Sequence, residues 1–76
     1  MKTTVRFFSG GSLDDGFDYD FNKEVLLLTK ENAPIPRVGE LVGIGFGQYV
    51  VTDVNYGFEE RDDDVLVDLY MLETSL

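Results

Sequence analysis

Residues 35–56 read IPRVGELVGIGFGQYVVTDVNY, and this stretch decides the fold class. Prolines at 34 and 36 stiffen the approach, and the pair Val38-Gly39 supplies a turn before two short runs rich in β-branched and aromatic residues. Glycines surround the point where the first run gives way to the second, as is typical of a β-hairpin. We therefore predict two adjacent antiparallel strands.

Alternation along the two runs gives each strand a face suited to a core. The first run places Val42, Ile44 and Phe46 together, opposite Leu41, Gly43 and Gly45. The second run separates Tyr49, Val51 and Asp53 from Val50, Val54 and Tyr56. Glycines inside a strand weaken it unless the sheet coils sharply or another backbone comes close, so the two glycines of the first run favour a small, strongly coiled barrel.

Three further strands are predicted outside the hairpin. Residues 3–9 (TTVRFFS) form the first and end at Gly10 and Gly11, and residues 65–72 (VLVDLYML) form the last. The last strand directs Val65, Val67, Leu69 and Met71 inward and Asp68 and Tyr70 outward. Five short strands in one 76-residue domain indicate an all-β fold, a five-stranded antiparallel SH3-like barrel or alternatively an OB-like one.

Residues 17–29 form the remaining predicted strand, and they begin with strict alternation. Three aromatic residues (Phe17, Tyr19, Phe21) alternate with polar ones (Asp18, Asp20, Asn22, Glu24). The pattern lapses at residues 25–28, where KEVLLLTKEN is also compatible with a short helix; the absence of a helix cap and the surrounding β pattern favour a strand. In that strand Leu26 and Leu28 point the same way as the carboxylates, so another strand or a second subunit should cover them.

The charge of the chain is −9, from 15 acidic and six basic residues, and most of it lies in two segments. Residues 14–24 hold five carboxylates and one lysine, and residues 59–64 hold five carboxylates and one arginine, a local charge of −4 in each. Such patches repel a phosphate backbone and attract a basic protein surface. We therefore expect a protein partner with a basic surface and no direct contact with nucleic acid.

Catalysis, cofactors and metals are not predicted. The chain has no histidine and no cysteine, so the commonest proton shuttle and the best nucleophile are missing. A calcium loop beginning at Asp18 would need glycine at position 23 and glutamate at position 29, where Lys23 and Thr29 stand. No secretory signal or membrane span is apparent in the sequence, and the lack of cysteine fits a reducing compartment, so a cytoplasmic location is expected.

Two surface features remain as candidates for protein contact. Alternating carboxylates along a strand lie roughly 6 to 7 Å apart, near the path between successive phosphates of a nucleic-acid strand, which raises the hypothesis of a nucleic-acid mimic. Solubility and protection of a strand edge explain the same charges without any function. Surplus aromatic residues are the second feature, although some could simply cover the barrel ends. The candidate contact residues are Asp18, Asp20, Glu24, Glu59, Glu60, Asp62, Asp63, Tyr49, Phe58 and Tyr70.

The runs IPRVGELV, QYVVTDVNY and VLVDLYML, within residues 34–72, together resemble small uncharacterised proteins of phages and mobile elements. In those proteins a Pro-x-x-Gly-Glu turn leads into two or three strands of a small barrel. The resemblance implies a genomic context more than an activity, and a phage-encoded protein would act in the cytoplasm of the host cell. The first hypothesis is thus a non-enzymatic acidic module that binds a partner protein, such as an inhibitor encoded by a mobile element. The alternative is a self-associating structural component of a larger, virion-like assembly, motivated by the apolar residues 25–28.

Overall fold

The computed structural model describes residues 2–16, 18–58 and 64–74, and these form five β-strands. The strands are β1 (Thr3–Ser12), β2 (Val25–Glu31), β3 (Leu41–Ile44), β4 (Gly47–Phe58) and β5 (Val65–Glu73). Two short 3-10 turns, Leu13–Asp15 and Phe21–Lys23, lie between β1 and β2. The all-β, five-stranded prediction is confirmed, and the strand assignment of residues 25–28 is correct.

The strands form one sheet in the order β2-β1-β5-β4-β3, which curls into a half-barrel. Three of the four pairings are antiparallel, but β1 and β5 run parallel, with Val5 opposite Val67 and Phe7 opposite Leu69. The expectation of a wholly antiparallel sheet was therefore wrong. Hydrophobic alternation specifies which face of a strand is buried, and it carries no information on the direction of a partner that is distant in sequence.

Glycines with positive φ make the two turns of the central hairpin region. Gly39, at φ 91°, occupies the third position of the turn that begins at Arg37, where left-handed backbone favours glycine. Gly45, at φ 61°, is the first of two residues that join β3 to β4, as a type II′ hairpin requires. The hairpin prediction is confirmed, and its second turn leaves Phe46 fully exposed instead of on the core face with Val42 and Ile44.

The core lies on one face of the sheet, which we call the inner face. Its buried residues are Val5, Phe7, Tyr49, Val51, Val67, Leu69 and Met71. Ala33 and Ile35, from the connection between β2 and β3, pack against these side chains, and so does Val65. The inward set predicted for the last strand is therefore confirmed. Asp68 and Tyr70 lie on the opposite, outer face, although Asp68 is itself buried there.

Two β-bulges explain why simple alternation assigned some residues to the wrong face. In β4 the register shifts between Val51 and Asp53, which leaves Thr52 as the extra residue. Beyond the bulge Val54 joins Tyr49 and Val51 in the core, and Asp53 pairs with Tyr70 on the outer face, so the predicted grouping of Asp53 with Tyr49 and Val51 was wrong. In β2 a bulge at Leu27 lets both Leu27 and Leu28 pack on the core, which accounts for the lapse in alternation.

The segment before β2 differs most from the sequence prediction. Residues 18–24 form no strand; Asp20 instead caps the 3-10 turn Phe21–Lys23, and its side chain accepts a hydrogen bond from the Asn22 amide (2.9 Å). Strand β1 also continues past Gly10 and Gly11 to Ser12, across a second irregularity. The carboxylates of this segment therefore do not form the regular row expected along a strand.

Candidate functional site

An aromatic group covers part of the outer face where β1 and β5 lie side by side. We call it the outer aromatic cluster, and its members are Phe8, Tyr19, Phe21 and Tyr70. Phe8 and Tyr70 are register neighbours and stack with ring centroids 5.8 Å apart. Tyr19 and Phe21 meet Tyr70 edge-on at 5.3 and 6.1 Å, and they contact each other at 5.0 Å. Such geometries are favoured by aromatic quadrupoles.

A bidentate ion pair lies beside this cluster, two residues earlier on each strand. Arg6 donates from Nε to Asp68 Oδ1 (2.7 Å) and from Nη2 to Asp68 Oδ2 (2.9 Å). The guanidinium also lies over the Phe8 ring, 5.2 Å from its centroid. The hydrogen bonds to Asp68 raise the pKa of Arg6 above its ordinary value, so this pair stays internally neutralised.

The segment between the two 3-10 turns brings Tyr19 and Phe21 onto the sheet. The Asp20 amide donates to the carbonyl of Gly10 (2.8 Å), which fixes the segment against β1. The Tyr19 ring lies directly on the Gly10 backbone, where an added Cβ would be 2.5 Å from the ring. The Tyr19 hydroxyl donates to Glu24 Oε1 (2.8 Å). Glycine at position 10 is therefore required for the docking of this ring.

Both cluster tyrosines are held in their neutral form. Burial raises the pKa of Tyr19 well above its usual range, and the hydrogen bond and negative charge of Glu24 raise it further. Burial also raises the pKa of Tyr70, with smaller contributions from Asp68, Glu24 and Asp53 that outweigh the opposing effect of Arg6. The two phenols are thus uncharged hydroxyl groups close to carboxylates.

Two shallow depressions flank Tyr19, and each has acidic residues in its wall. The larger, about 560 Å³, is lined by Tyr19, Phe21, Tyr70, Asp53, Val54 and Asn55. The smaller, about 290 Å³, is lined by Tyr19, Asp18, Asp20, Lys23 and residues 10–12. Aromatic surface and carboxylates therefore alternate across this face. Phe21, which is 69% exposed, forms its most accessible apolar part.

The candidates named from the sequence fall into different environments. Asp18 and Glu24 are exposed, Asp20 is half-buried as a cap, and Tyr70 is at the centre of the cluster. Phe58, the last residue of β4, is 74% exposed, and its ring stacks on that of Tyr56 with the centroids 6.4 Å apart. Glu59, Glu60, Asp62 and Asp63 lie outside the described residues.

Tyr49 was wrongly predicted to be a contact residue. It is 8% exposed and belongs to the core, because β4 directs it to the inner face opposite Val42. Conversely, Asp53 was not among the candidates, since the bulge that turns it toward Tyr70 has no signature in the alternation. Tyr19 and Phe21 were recognised as an aromatic series, but their association with Tyr70 depends on the turn that replaces the expected strand.

No group of three or more metal-ligating side chains occurs within residues 2–16, 18–58 and 64–74. In the same part of the chain, no helix is long and apolar enough to cross a membrane.

No protein-family model matches the sequence, and no similar curated protein or solved structure was found.

Proposed function

We propose that this protein is a non-enzymatic acidic module that binds the basic surface of a partner protein through the outer aromatic cluster and its carboxylates. The observation that carries the proposal is the assembly on one face of Tyr19, Phe21 and Tyr70 with Glu24 and Asp53. Tyrosine and phenylalanine are enriched at protein interfaces, where they act as anchors.

Charge supports a basic partner for this face. Arg6, which lies over the Phe8 ring, is engaged by Asp68, whereas Glu24 and Asp53 lie exposed at the cluster margin. With a net charge of −9, the chain attracts a cationic surface at long range and repels nucleic acid. Mimicry of nucleic acid is not part of the proposal, because the regular row of carboxylates that suggested it is not formed.

The resemblance to phage and mobile-element proteins and the absence of cysteine motivate two further elements of the proposal. The partner is a host protein, and the interaction takes place in the host cytoplasm. The module would then act by occupying a functional basic surface.

The test compares two double variants that remove the same charge from different places. E24Q/D53N neutralises the cluster margin and keeps oxygen acceptors, and E31Q/E73Q removes two charges at other sites on the sheet. Affinity capture from a host lysate at about 50 mM and about 500 mM NaCl should recover a basic protein only at low salt. The cluster variant should lose it and the control should retain it. Recovery of neutral proteins only, independent of salt, would contradict the proposal.

Self-association is a second candidate, favoured by one observation on β2. Val25 and Leu26 are 56% and 51% exposed on a strand at the margin of the sheet, where a second copy could cover them. Light scattering on a concentration series should then show a dimer that L26K dissociates. A strict monomer at millimolar protein would eliminate this candidate.

A further inference from the structure

The second half of β4 has an unpaired side, which indicates how the proposed partner binds. Strand β3 pairs only with Gly47–Val50 of β4, and Gly39 and Glu40 extend this contact by hydrogen bonds to both backbone groups of Val51. Beyond the extra residue Thr52, residues 53–58 pair with β5 on one side. Among the described residues no strand pairs with their other side, which is therefore an open edge.

The register identifies which backbone groups face this edge. Val51 directs its N–H and C=O away from β5, since both bind the segment before β3. After the extra residue Thr52, the two-residue alternation of an antiparallel ladder turns Val54, Tyr56 and Phe58 to the same side. Their amide and carbonyl groups repeat about every 6.8 Å, a spacing that an extended backbone satisfies.

Beyond Asp53, residues 54–58 of β4 lack the features that commonly block strand addition. Lysine, proline and a bulge within a strand are typical protective devices. The opposite edge strand, β2, has both a bulge at Leu27 and the charged pair Lys30-Glu31. Residues 53–58 of β4 read DVNYGF, with no lysine, proline or further register shift. Residues 53–58 of β4 are therefore a better template for an added strand than the β2 edge is.

The two faces of this edge specify the side chains of an incoming strand. On the inner face, Tyr56 and Phe58 stack on each other and are both exposed. On the outer face, Asp53 and Asn55 are exposed beside the larger depression. The chain as a whole carries a net charge of −9. A second copy would bring the same negative charge to this edge, so a partner segment with basic residues fits it better.

We propose that an extended segment of the partner, with alternating basic and apolar residues, adds as a strand to β4 at Val54, Tyr56 and Phe58. Its apolar residues contact Tyr56 and Phe58 on the inner face, and its lysine or arginine residues meet Asp53 on the outer face. Main-chain hydrogen bonds supply binding and the alternating side chains supply selectivity. This inference rests on the proposed function, since it names the element of the basic partner that the module captures.

The test uses two synthetic peptides of equal charge, five Lys-Val repeats and five Lys-Pro repeats, because proline lacks the N–H that strand pairing needs. Titration into ¹⁵N-labelled protein at low salt should show binding of the Lys-Val peptide at least tenfold tighter. Amide hydrogen exchange at Val54, Tyr56 and Phe58 should slow at least tenfold in that complex. Equal affinity for both peptides, with shifts confined to the outer aromatic cluster, would overturn the inference and leave the proposed function standing.

Two variants of one residue separate the edge from the aromatic surface. Y56A removes the aromatic ring and keeps the backbone N–H, whereas Y56P removes the ring and the N–H. The N–H of residue 56 does not bond to β5, so its loss leaves the existing sheet pairing intact. Y56P should weaken the Lys-Val peptide at least tenfold more than Y56A does. If Y56P fails to fold, the comparison of the Lys-Val and Lys-Pro peptides on the unmodified protein remains the test of strand addition. Protection at β2 instead of β4 would also overturn the inference, and failure of both peptides to bind at low salt would overturn the proposed function as well.

Discussion

Replacement of Arg6 by methionine should destabilise the protein by about 2 kcal/mol. The side chain of Asp68 is 12% exposed, and that of Arg6 is 37% exposed. Breaking a fully buried ion pair costs about 3–5 kcal/mol, and an exposed pair contributes about 0.2–1 kcal/mol. The Arg6–Asp68 pair lies between these limits, because the carboxylate loses two short hydrogen bonds and has little access to water. Methionine retains the apolar part of the arginine side chain. The decrease in the free energy of unfolding therefore measures mainly the cost of leaving the Asp68 carboxylate without its partner.

Urea denaturation provides the measurement. For a domain of this size the free energy of unfolding falls by about 1 kcal/mol per molar urea, so R6M should lower the midpoint by about 2 M. The double variant R6M/D68L is the matched control, since replacing both partners with apolar groups can be nearly neutral. It should be more stable than R6M by at least about 1 kcal/mol. If R6M costs less than about 0.5 kcal/mol and D68L does not rescue it, the pair has no structural role and the reasoning fails.

Three other substitutions test the fold and the site. G10A should lower the free energy of unfolding by about 1–3 kcal/mol, because its methyl group displaces the Tyr19 ring. The near-ultraviolet circular dichroism signal of the docked ring should decrease, and an unchanged spectrum would refute this docking. In urea denaturation, Y49A should lower the free energy of unfolding by about 3 kcal/mol and F46A by less than about 0.5 kcal/mol. Equal decreases would contradict the assignment of Tyr49 to the core. The free energy of unfolding should fall as the pH rises above about 10, because folded Tyr19 keeps its proton while the unfolded phenol releases it. Y19F should reduce this slope between about pH 9 and about pH 11, and an identical slope in both proteins would be inconsistent with the raised pKa.

The hairpin and the last strand could be predicted from the sequence because their signals are local. A glycine at each turn and two-residue alternation over 65–72 specify the turn positions and the buried face without reference to any distant residue. For residues 18–24 the same kind of local pattern gave the wrong prediction. Their alternation resembles a strand, but Asp20 offers the chain a cap and Tyr19 offers it a docking site on Gly10, and these contacts are not visible in a periodic pattern.

The candidate site was only partly predictable because it depends on bulges and on long-range pairing. One extra residue at Thr52 reverses the faces of Asp53 and Val54, so the acidic margin of the cluster arises from a register shift that composition does not reveal. The parallel pairing of Phe8 with Tyr70 brings together two rings from opposite ends of the chain. Acidic and aromatic residues could be recognised, but their arrangement on one surface required the three-dimensional structure.

The parallel pairing of β1 with β5 also determines when the protein can fold during its synthesis. Both strands are interior to the sheet, and residues such as Arg6 and Asp68, which are 62 positions apart, must meet before the core is complete. A nascent chain cannot make this central pairing until Val65–Glu73 has left the ribosomal tunnel. The sheet should therefore form only after β5 has been synthesised, and folding should be slow for a domain of this size, on the order of milliseconds to seconds, as for other topologies dominated by contacts between distant residues.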